Sequence, residues 1–269
     1  MARVAVCQMS SGPDLARNLD QALSLVRAAA ADKAELVCLP ENFERMAVAE
    51  EKREGATPIA GEGAVVLDPI RAVAQELGIW ILAGSFAERI ERSHKIHNTS
   101  VLVDPQGNIA SVYRKIHLFD VEIGDGARYR ESDLVAPGER LTVADTPVGQ
   151  LGLSICYDLR FPELYRELVK LGAELLAVPA AFTAKTGEAH WKVLLRARAI
   201  ENQCFVLAPA QTGSHPGNRQ TWGHAMIVDP WGTVLADAGT DVGVAAAEVD
   251  LDMLRELRRT MPVLGHRRL

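Results

Sequence analysis

Cysteine is scarce in this chain. Four residues, Cys7, Cys38, Cys156 and Cys204, stand far apart in 269, and no CxxC pair occurs. That spacing excludes a disulfide framework and a clustered thiolate zinc site, and makes a reducing cytoplasmic compartment the natural expectation. Long hydrophobic runs are missing as well. No stretch approaches the ~20 apolar residues that cross a bilayer, so no membrane is expected as a partner. The first residues, Met1-Ala-Arg-Val-Ala-Val-Cys-Gln, lack the charged and apolar regions of a signal peptide and read as a strand. There is no basic excess either: the net charge is −6, which argues against nucleic acid as a partner. Glycine and proline are present at ordinary levels, which excludes a fibre or a disordered chain.

What is present is a hydrophobic fraction of 48%, enough in 269 residues for one large core, and the chain reads as one domain over residues 1–269. Strand and helix signals alternate. Residues 3–9 and 35–39 read as strands, the second stopped by Pro40. Residues 14–31 carry Leu15, Leu19, Leu23 and Val26 at helical spacing. A helix over 63–77 ends at Gly78, and a strand follows over 79–85. Residues 98–103 and 109–113 flank Asp104-Pro-Gln-Gly107 and predict a hairpin. The stretch 118–137, rich in Asp, Glu, Gly and Arg, predicts a long functional loop.

The second half repeats this order. Lys33-Ala-Glu-Leu-Val-Cys-Leu-Pro-Glu-Asn-Phe43 is echoed by Gly172-Ala-Glu-Leu-Leu-Ala-Val-Pro-Ala-Ala-Phe182, and Val103-Asp-Pro-Gln-Gly107 by Val228-Asp-Pro-Trp-Gly232. Strands at 3 and 79 have counterparts at 150–157 and 204–210. Strands as apolar as 35–39 need cover on both faces. Two mixed sheets, one from each half, packed face to face with helices outside, provide it. The expected fold is α/β, a four-layer α/β/β/α sandwich with internal pseudo-duplication.

Cys156 is the most informative residue. It ends the apolar run Leu151-Gly-Leu-Ser-Ile-Cys156 and precedes a turn and a helix opened by Pro162, a position that favours thiolate chemistry. In the repeat, Glu41 falls where the second half has Ala180, so only one copy carries a carboxylate there. Lys115 follows an amphipathic strand. Each has a plain structural alternative: a capping surface acid, a solvated lysine, an inert buried thiol. Together they allow a nucleophilic mechanism without histidine. Glu41 takes the thiol proton, Cys156 attacks an amide carbonyl, and Lys115 with the Tyr157 backbone N–H stabilises the oxyanion. Such a base is expected to be less acidic than free glutamate, with Glu131 tuning it, unless Glu131 is only an exposed loop acid. A Cys–His mechanism through His117, His190 or His224 is the competitor.

Leu39-Pro-Glu41-Asn-Phe43, Tyr113-Arg-Lys115-Ile-His-Leu-Phe119 and Ser154-Ile-Cys156-Tyr-Asp-Leu-Arg-Phe-Pro-Glu163 resemble the three catalytic motifs of the nitrilase superfamily of carbon–nitrogen hydrolases, and the likeness extends over nearly the whole chain. The resemblance implies Glu41 as general base, Lys115 as transition-state cation, Cys156 as nucleophile and Glu131 as auxiliary glutamate. It also implies the sandwich fold and a homodimer or higher homo-oligomer formed through helices next to the site. No cofactor or metal is implied. Residues 181–203, 223–232 and 262–268 are similar to the Nit amidase branch, which acts on deaminated glutathione or, as ω-amidase, on α-ketoglutaramate-type acids; the 194–203 and 210–213 stretches look more like the first. The expected activity is a thiol amidohydrolase that cleaves a small acidic primary amide to carboxylate and ammonia through a thioester. A carbamoyl compound or a nitrile is a further substrate class, and a catalytically silent oligomeric scaffold is the alternative of another kind. Substrate contacts are expected at Tyr157, Arg160, Phe182 and Thr183, with Arg196 and Arg198 as further candidates for an acidic substrate.

Overall fold

Two sheets form the centre of the computed structural model, which describes residues 1–123 and 127–268. In the first sheet, strands Ala2–Met9, Leu36–Cys38 and Trp80–Arg89 run parallel, and Ile96–Val103 and Ile109–Arg114 add antiparallel. In the second, Gly149–Leu153, Leu175–Ala177 and Phe205–Ala208 run parallel, and Met226–Val228 and Val234–Asp237 add antiparallel. The two series have the same order and sense, so the duplication read from sequence is a duplication of topology.

The paired turns agree atom for atom. Gly107 and Gly232 both have positive φ, 77° and 88°, and their N–H groups donate to Asp104 O and Asp229 O at 2.9 Å each. In both, the aspartate side chain also caps the turn.

The central strands are buried on both faces, and alternate residues face opposite layers. Val4, Val6, Leu36 and Cys38 face the second sheet, with Leu151, Leu175 and Phe205 in the same cluster. Ala5, Cys7, Val37 and Leu39 face Ala22, Val26, Ile70 and Val73 of helices Leu15–Ala31 and Leu67–Leu77. Helices Pro162–Lys170 and Lys192–Asn202 cover the outer face of the second sheet through Leu164, Leu168, Leu195 and Ala199. The result is the four-layer α/β/β/α order.

One detail departs from the expectation that each half supplies its own sheet. The edge strand Val143–Thr146, which closes the first half, pairs in the second sheet. Strand Gly243–Val249, which closes the second half, pairs antiparallel along Ala2–Met9 in the first. Each thereby covers an apolar strand edge that would otherwise be open. Strand Ala210–His215 also crosses to the first sheet, and Arg219–Trp222 extends it.

The expected loop over 118–137 is largely structured in its described residues; 124–126 lie outside them. Strands Asp120–Ile123 and Ala127–Arg130 form a hairpin, followed by a short turn of helix, Glu131–Asp133. Cross-strand pairs set Asp120 opposite Arg130 and Glu122 opposite Arg128. Opposite charges across a ladder stabilise it, and a composition-based reading counts them only as polarity.

Candidate active site

Three strand ends and the hairpin meet at a cavity of about 400 Å³. Glu41 follows Leu36–Cys38. Its turn is pinned by the neighbouring strand, where Leu39 N–H donates to Leu82 O at 2.9 Å and Ser85 N–H to Pro40 O at 3.2 Å. The approach is so close that a Cβ at Gly84 would overlap the Leu39 and Pro40 carbonyl oxygens, so only glycine fits there. Lys115 leaves Ile109–Arg114 held by Asn98 O and by Gly138 N–H, at 2.9 and 2.8 Å. Cys156 begins a 3₁₀ turn, Cys156–Arg160, and takes a φ of +49°. Helix Pro162–Lys170 starts six residues later, so the thiol sits in a strained turn rather than at an α-helix N-terminus.

The side chains converge. Lys115 Nζ donates to Glu41 Oε1 at 3.0 Å and to Glu131 Oε1 and Oε2 at 3.0 and 2.9 Å. Asn98 Nδ2 donates to Glu41 Oε1 at 2.9 Å and Glu131 Oε1 at 3.3 Å, and Phe119 N–H to Glu131 Oε2 at 2.7 Å. Ala181 N–H, from the second half, donates to Glu41 Oε2 at 2.8 Å. The Cys156 thiol lies beside Glu41 and Lys115, close enough for each to act on its pKa. Lys115 and Glu41 are each 2% exposed and Cys156 7%, so the three are buried together.

Electrostatics reverse two expectations. Burial is the largest single influence on Glu41 and pushes its pKa up. The Lys115 and Arg219 cations, the neighbouring Cys156 thiol and the hydrogen bond from Lys115 outweigh it, so the carboxyl lies well below the ordinary range. Burial, then the Glu41 charge, push the Cys156 thiol well above its ordinary value. Lys115 loses by burial but gains more from Glu131 and Glu41, and stays an ammonium. The resting state is therefore carboxylate, ammonium and neutral thiol, and no free thiolate waits in the cleft. Proton transfer from Sγ to Glu41 is therefore uphill at rest and is favoured when it accompanies C–S bond formation.

Asp158 holds this arrangement. Its Oδ2 accepts from Tyr113 OH at 2.7 Å and Ile155 N–H at 2.8 Å, and its Oδ1 from His117 N–H at 3.0 Å and Nδ1 at 2.7 Å. Tyr113 and His117 flank Lys115, while Asp158 lies two residues after Cys156. One buried carboxylate thus ties the lysine segment to the thiol turn. Asp158→Asn turns two donors against these partners. We expect kcat to fall by ~10- to 100-fold with KM within about threefold, as for a sub-ångström misplacement of reacting groups. Steady-state kinetics with parallel melting curves check this; an unchanged kcat removes the positioning role.

The histidine alternatives are all engaged elsewhere. His117 meets Asp158 and stacks on Phe161 at 3.7 Å, His190 meets Arg160 at 3.3 Å, and His224 meets Asp237 at 3.0 Å. Tyr157, Arg160, Phe182 and Thr183 all line the cavity, with the Arg160 guanidinium 5.1 Å from the Phe182 ring centroid. Arg196 and Arg198 do not line it. Arg196 Nε donates to Gly232 O at 2.7 Å, and Arg198 donates to Leu159 O and to Glu201. Their helix faces the outer surface of the sheet, which places its basic residues away from the cleft. The sequence reading missed Asn98, Lys52, Arg128, Arg130 and Arg219; the last four line the cavity. Among the described residues no group of three His, Cys, Asp or Glu side chains is placed to hold a metal ion.

A buried thiol, an ammonium and two carboxylates at the strand ends of an α/β/β/α sandwich have the make-up of a thiol hydrolase that works without histidine. The carbon–nitrogen hydrolase family model matches residues 3–259, and the chain belongs to that family of hydrolases acting on carbon–nitrogen bonds. It is 50% identical over 266 residues to a deaminated glutathione amidase of Synechocystis, covering 98% of this chain and 97% of the relative. The crystal structure of the Caenorhabditis elegans NitFhit protein superposes with a TM-score of 0.93 at 42% identity; this chain is covered in full and spans 66% of that protein, just under two thirds. Saccharomyces cerevisiae Nit3, a member of branch 10 of the nitrilase superfamily, superposes with a TM-score of 0.90 at 31% identity, covering 100% of this chain and 97% of Nit3.

Proposed function

We propose that this chain is a thiol amidase for a small amide carrying carboxylate groups, with deaminated glutathione as its substrate. The observation that carries the reading is the convergence of Cys156, Lys115 and Glu41 on a cavity whose walls also hold Lys52, Arg128, Arg130, Arg160 and Arg219. Among the described residues, five further cations against two acids, Glu41 and Glu131, make the cleft electropositive and suit an acidic substrate.

Cys156 Sγ attacks the amide carbonyl as its proton passes to Glu41. The oxyanion forms against Lys115 Nζ and the Tyr157 N–H. Glu41 returns the proton to the leaving nitrogen as the C–N bond breaks. For deaminated glutathione that nitrogen is the amino group of the released peptide; for an α-ketoglutaramate-type acid it is ammonia. Water activated by Glu41 then cleaves the thioester. Glu131 orients Lys115. Tyr157, Arg160, Phe182 and Thr183 form the substrate wall.

The deciding experiment compares deaminated glutathione and α-ketoglutaramate with the purified protein, reading products by mass spectrometry. Faster cleavage of the first is expected. Faster cleavage of the second moves the assignment to ω-amidase. Cleavage of neither, together with no iodoacetamide labelling of Cys156 at neutral pH, supports a silent scaffold.

We also read the protein as one catalytic domain working as a cytoplasmic homo-oligomer. Its four cysteines are free and buried, which suits a reducing compartment, and no described helix is long and apolar enough to cross a membrane. The outer helix Lys192–Asn202 leaves Val193 and Ile200 exposed at 65% and 44%, next to Trp231 at 66%. An apolar patch on this outer helix suits a subunit contact. Light scattering is expected to return at least twice the 29.2 kDa chain mass, and a monomer mass would end this part of the reading.

A further inference from the structure

Lys52 and Arg219 come from distant segments and stand on the same side of the cleft, beside Glu41. Lys52 lies on the short helix Ala49–Glu54, in a run of charges that ordinarily faces water. Its ammonium instead turns inward, donates to Asn42 Oδ1 and lines the cavity. Asn42, adjacent to Glu41, adopts a left-handed φ of 54° and presents that oxygen. Arg219 enters from the other half on the strand Arg219–Trp222. Its Nη2 donates to Ala181 O at 3.1 Å, on the residue whose N–H holds Glu41, and its guanidinium lies 6.0 Å from the Tyr129 ring centroid.

Both cations have donor capacity left over. Among the described residues neither is in an ion pair, and Arg219 Nε is buried with no hydrogen-bond partner. Burial lowers the Lys52 pKa, and the nearby Arg219 charge lowers it further, against pulls from Glu44, Glu41 and Glu131. Glu44 is a poor counter-ion, because burial pushes its own carboxyl up towards the neutral form. Two half-buried cations in mutual repulsion, opening on a cavity, are stabilised when an anion enters.

We propose that Lys52 and Arg219 form a carboxylate-binding subsite beside Glu41 and select amides that carry a carboxylate. This rests on the amidase reading for its meaning, yet it is testable without turnover. A point-charge ammonium and a planar guanidinium fork together suit the two oxygens of one carboxylate. The cation that binds substrate also helps to keep Glu41 ionised, so the two roles have to be separated.

The test uses the Cys156→Ala protein, which keeps the cavity and cannot form a thioester. Binding of 2-oxoglutarate, and of neutral glutaramide as control, is measured by isothermal titration calorimetry. Lys52→Gln and Arg219→Gln are each added to this background, with circular dichroism as the folding check. The expected result is a ~10- to 100-fold weaker Kd for 2-oxoglutarate in each, with glutaramide moving by less than threefold. Lys52→Arg and Arg219→Lys, which keep the charge, are expected to retain most of the affinity. Equal loss for both ligands means that the pair acts only through Glu41 and overturns the subsite, as does an unchanged Kd for 2-oxoglutarate or no binding to the parent. A wild-type protein that cleaves no amide ends the amidase reading and leaves the binding result standing. An active wild type with unchanged binding in the variants ends the subsite alone.

Discussion

Cys156→Ala is expected to lose amide turnover by at least ~10⁴-fold in kcat/KM while melting within a few degrees of the parent. Among the described residues no other side chain replaces the thiol: Ser154 is committed to Ala177 O and Tyr165, and the Thr183 and Thr186 hydroxyls of the cavity wall pair with each other at 2.7 Å. The stability cost is small. One buried thiol and its contact with Glu41 are lost, worth about 1 kcal/mol and ~2–4 °C for a chain of this size. Backbone strain offers a second control. A φ of +49° is unfavourable for any residue with a Cβ, and glycine would adopt it at lower cost. Cys156→Gly is therefore expected to be as inactive as the alanine variant and no less stable. A structural cysteine would have no reason to occupy this strained position, whereas a nucleophile has to be aimed from it. Calorimetric melting beside product assays checks both variants; turnover surviving in either removes Cys156 as the nucleophile.

Much of the site was legible because its principal groups lie at strand ends, where apolar periodicity stops and a polar residue stands out. Glu41 follows Pro40, Lys115 follows a strand, and Cys156 ends one. The repeat was legible because its turns need the same residues, Asp-Pro-x-Gly, for the same backbone. Other features depend on tertiary partners. Lys52 sits in Glu50-Glu51-Lys52-Arg53-Glu54, a pattern that suits a solvated helix, and only the packing of that helix over Asn42 turns it inward. Arg219 is brought to Glu41 by a strand that leaves its own half to join the first sheet. Asn98 did leave a signal, since His97-Asn98-Thr99-Ser100 puts four polar residues in a row in an otherwise apolar strand, the last three of them buried. The direction of the Glu41 pKa was misjudged for a related reason. Composition suggests a desolvated acid, and the opposing cations, one of them from 178 residues away, appear only in three dimensions.

Lys115→Met keeps much of the side-chain length and removes the charge, and is expected to cost about 3–5 kcal/mol of stability, or ~10 °C, as well as activity. Glu41 and Glu131 both lean on Nζ. Without it, two carboxylates face each other across the Asn98 amide in a buried site, and repulsion adds to desolvation. For Glu41, burial is already the largest influence, offset first by Lys115. Removing that offset leaves only Arg219 and Cys156 against burial and the now unscreened Glu131, and the carboxyl is expected to rise above its unfolded value of about 4.3. The pH dependence then changes sign. In the wild type the folded pKa is depressed, so the contribution from Glu41 is present above the unfolded pKa and is lost as pH falls through the folded one. In the variant the folded pKa is raised, so stability is greatest below the unfolded pKa and declines as pH rises through the folded value. The gap between the two proteins should be widest at pH 7–8 and narrow towards pH 5. Activity should fall by ~10³-fold or more, because the oxyanion loses its cation and a protonated Glu41 cannot accept the thiol proton. Urea unfolding from pH 5 to 8 measures the gap. A value below ~1 kcal/mol, or one that does not vary with pH, would mean that Lys115 does not neutralise the two acids. The mechanism would then lose the cation on which both its base and its oxyanion depend.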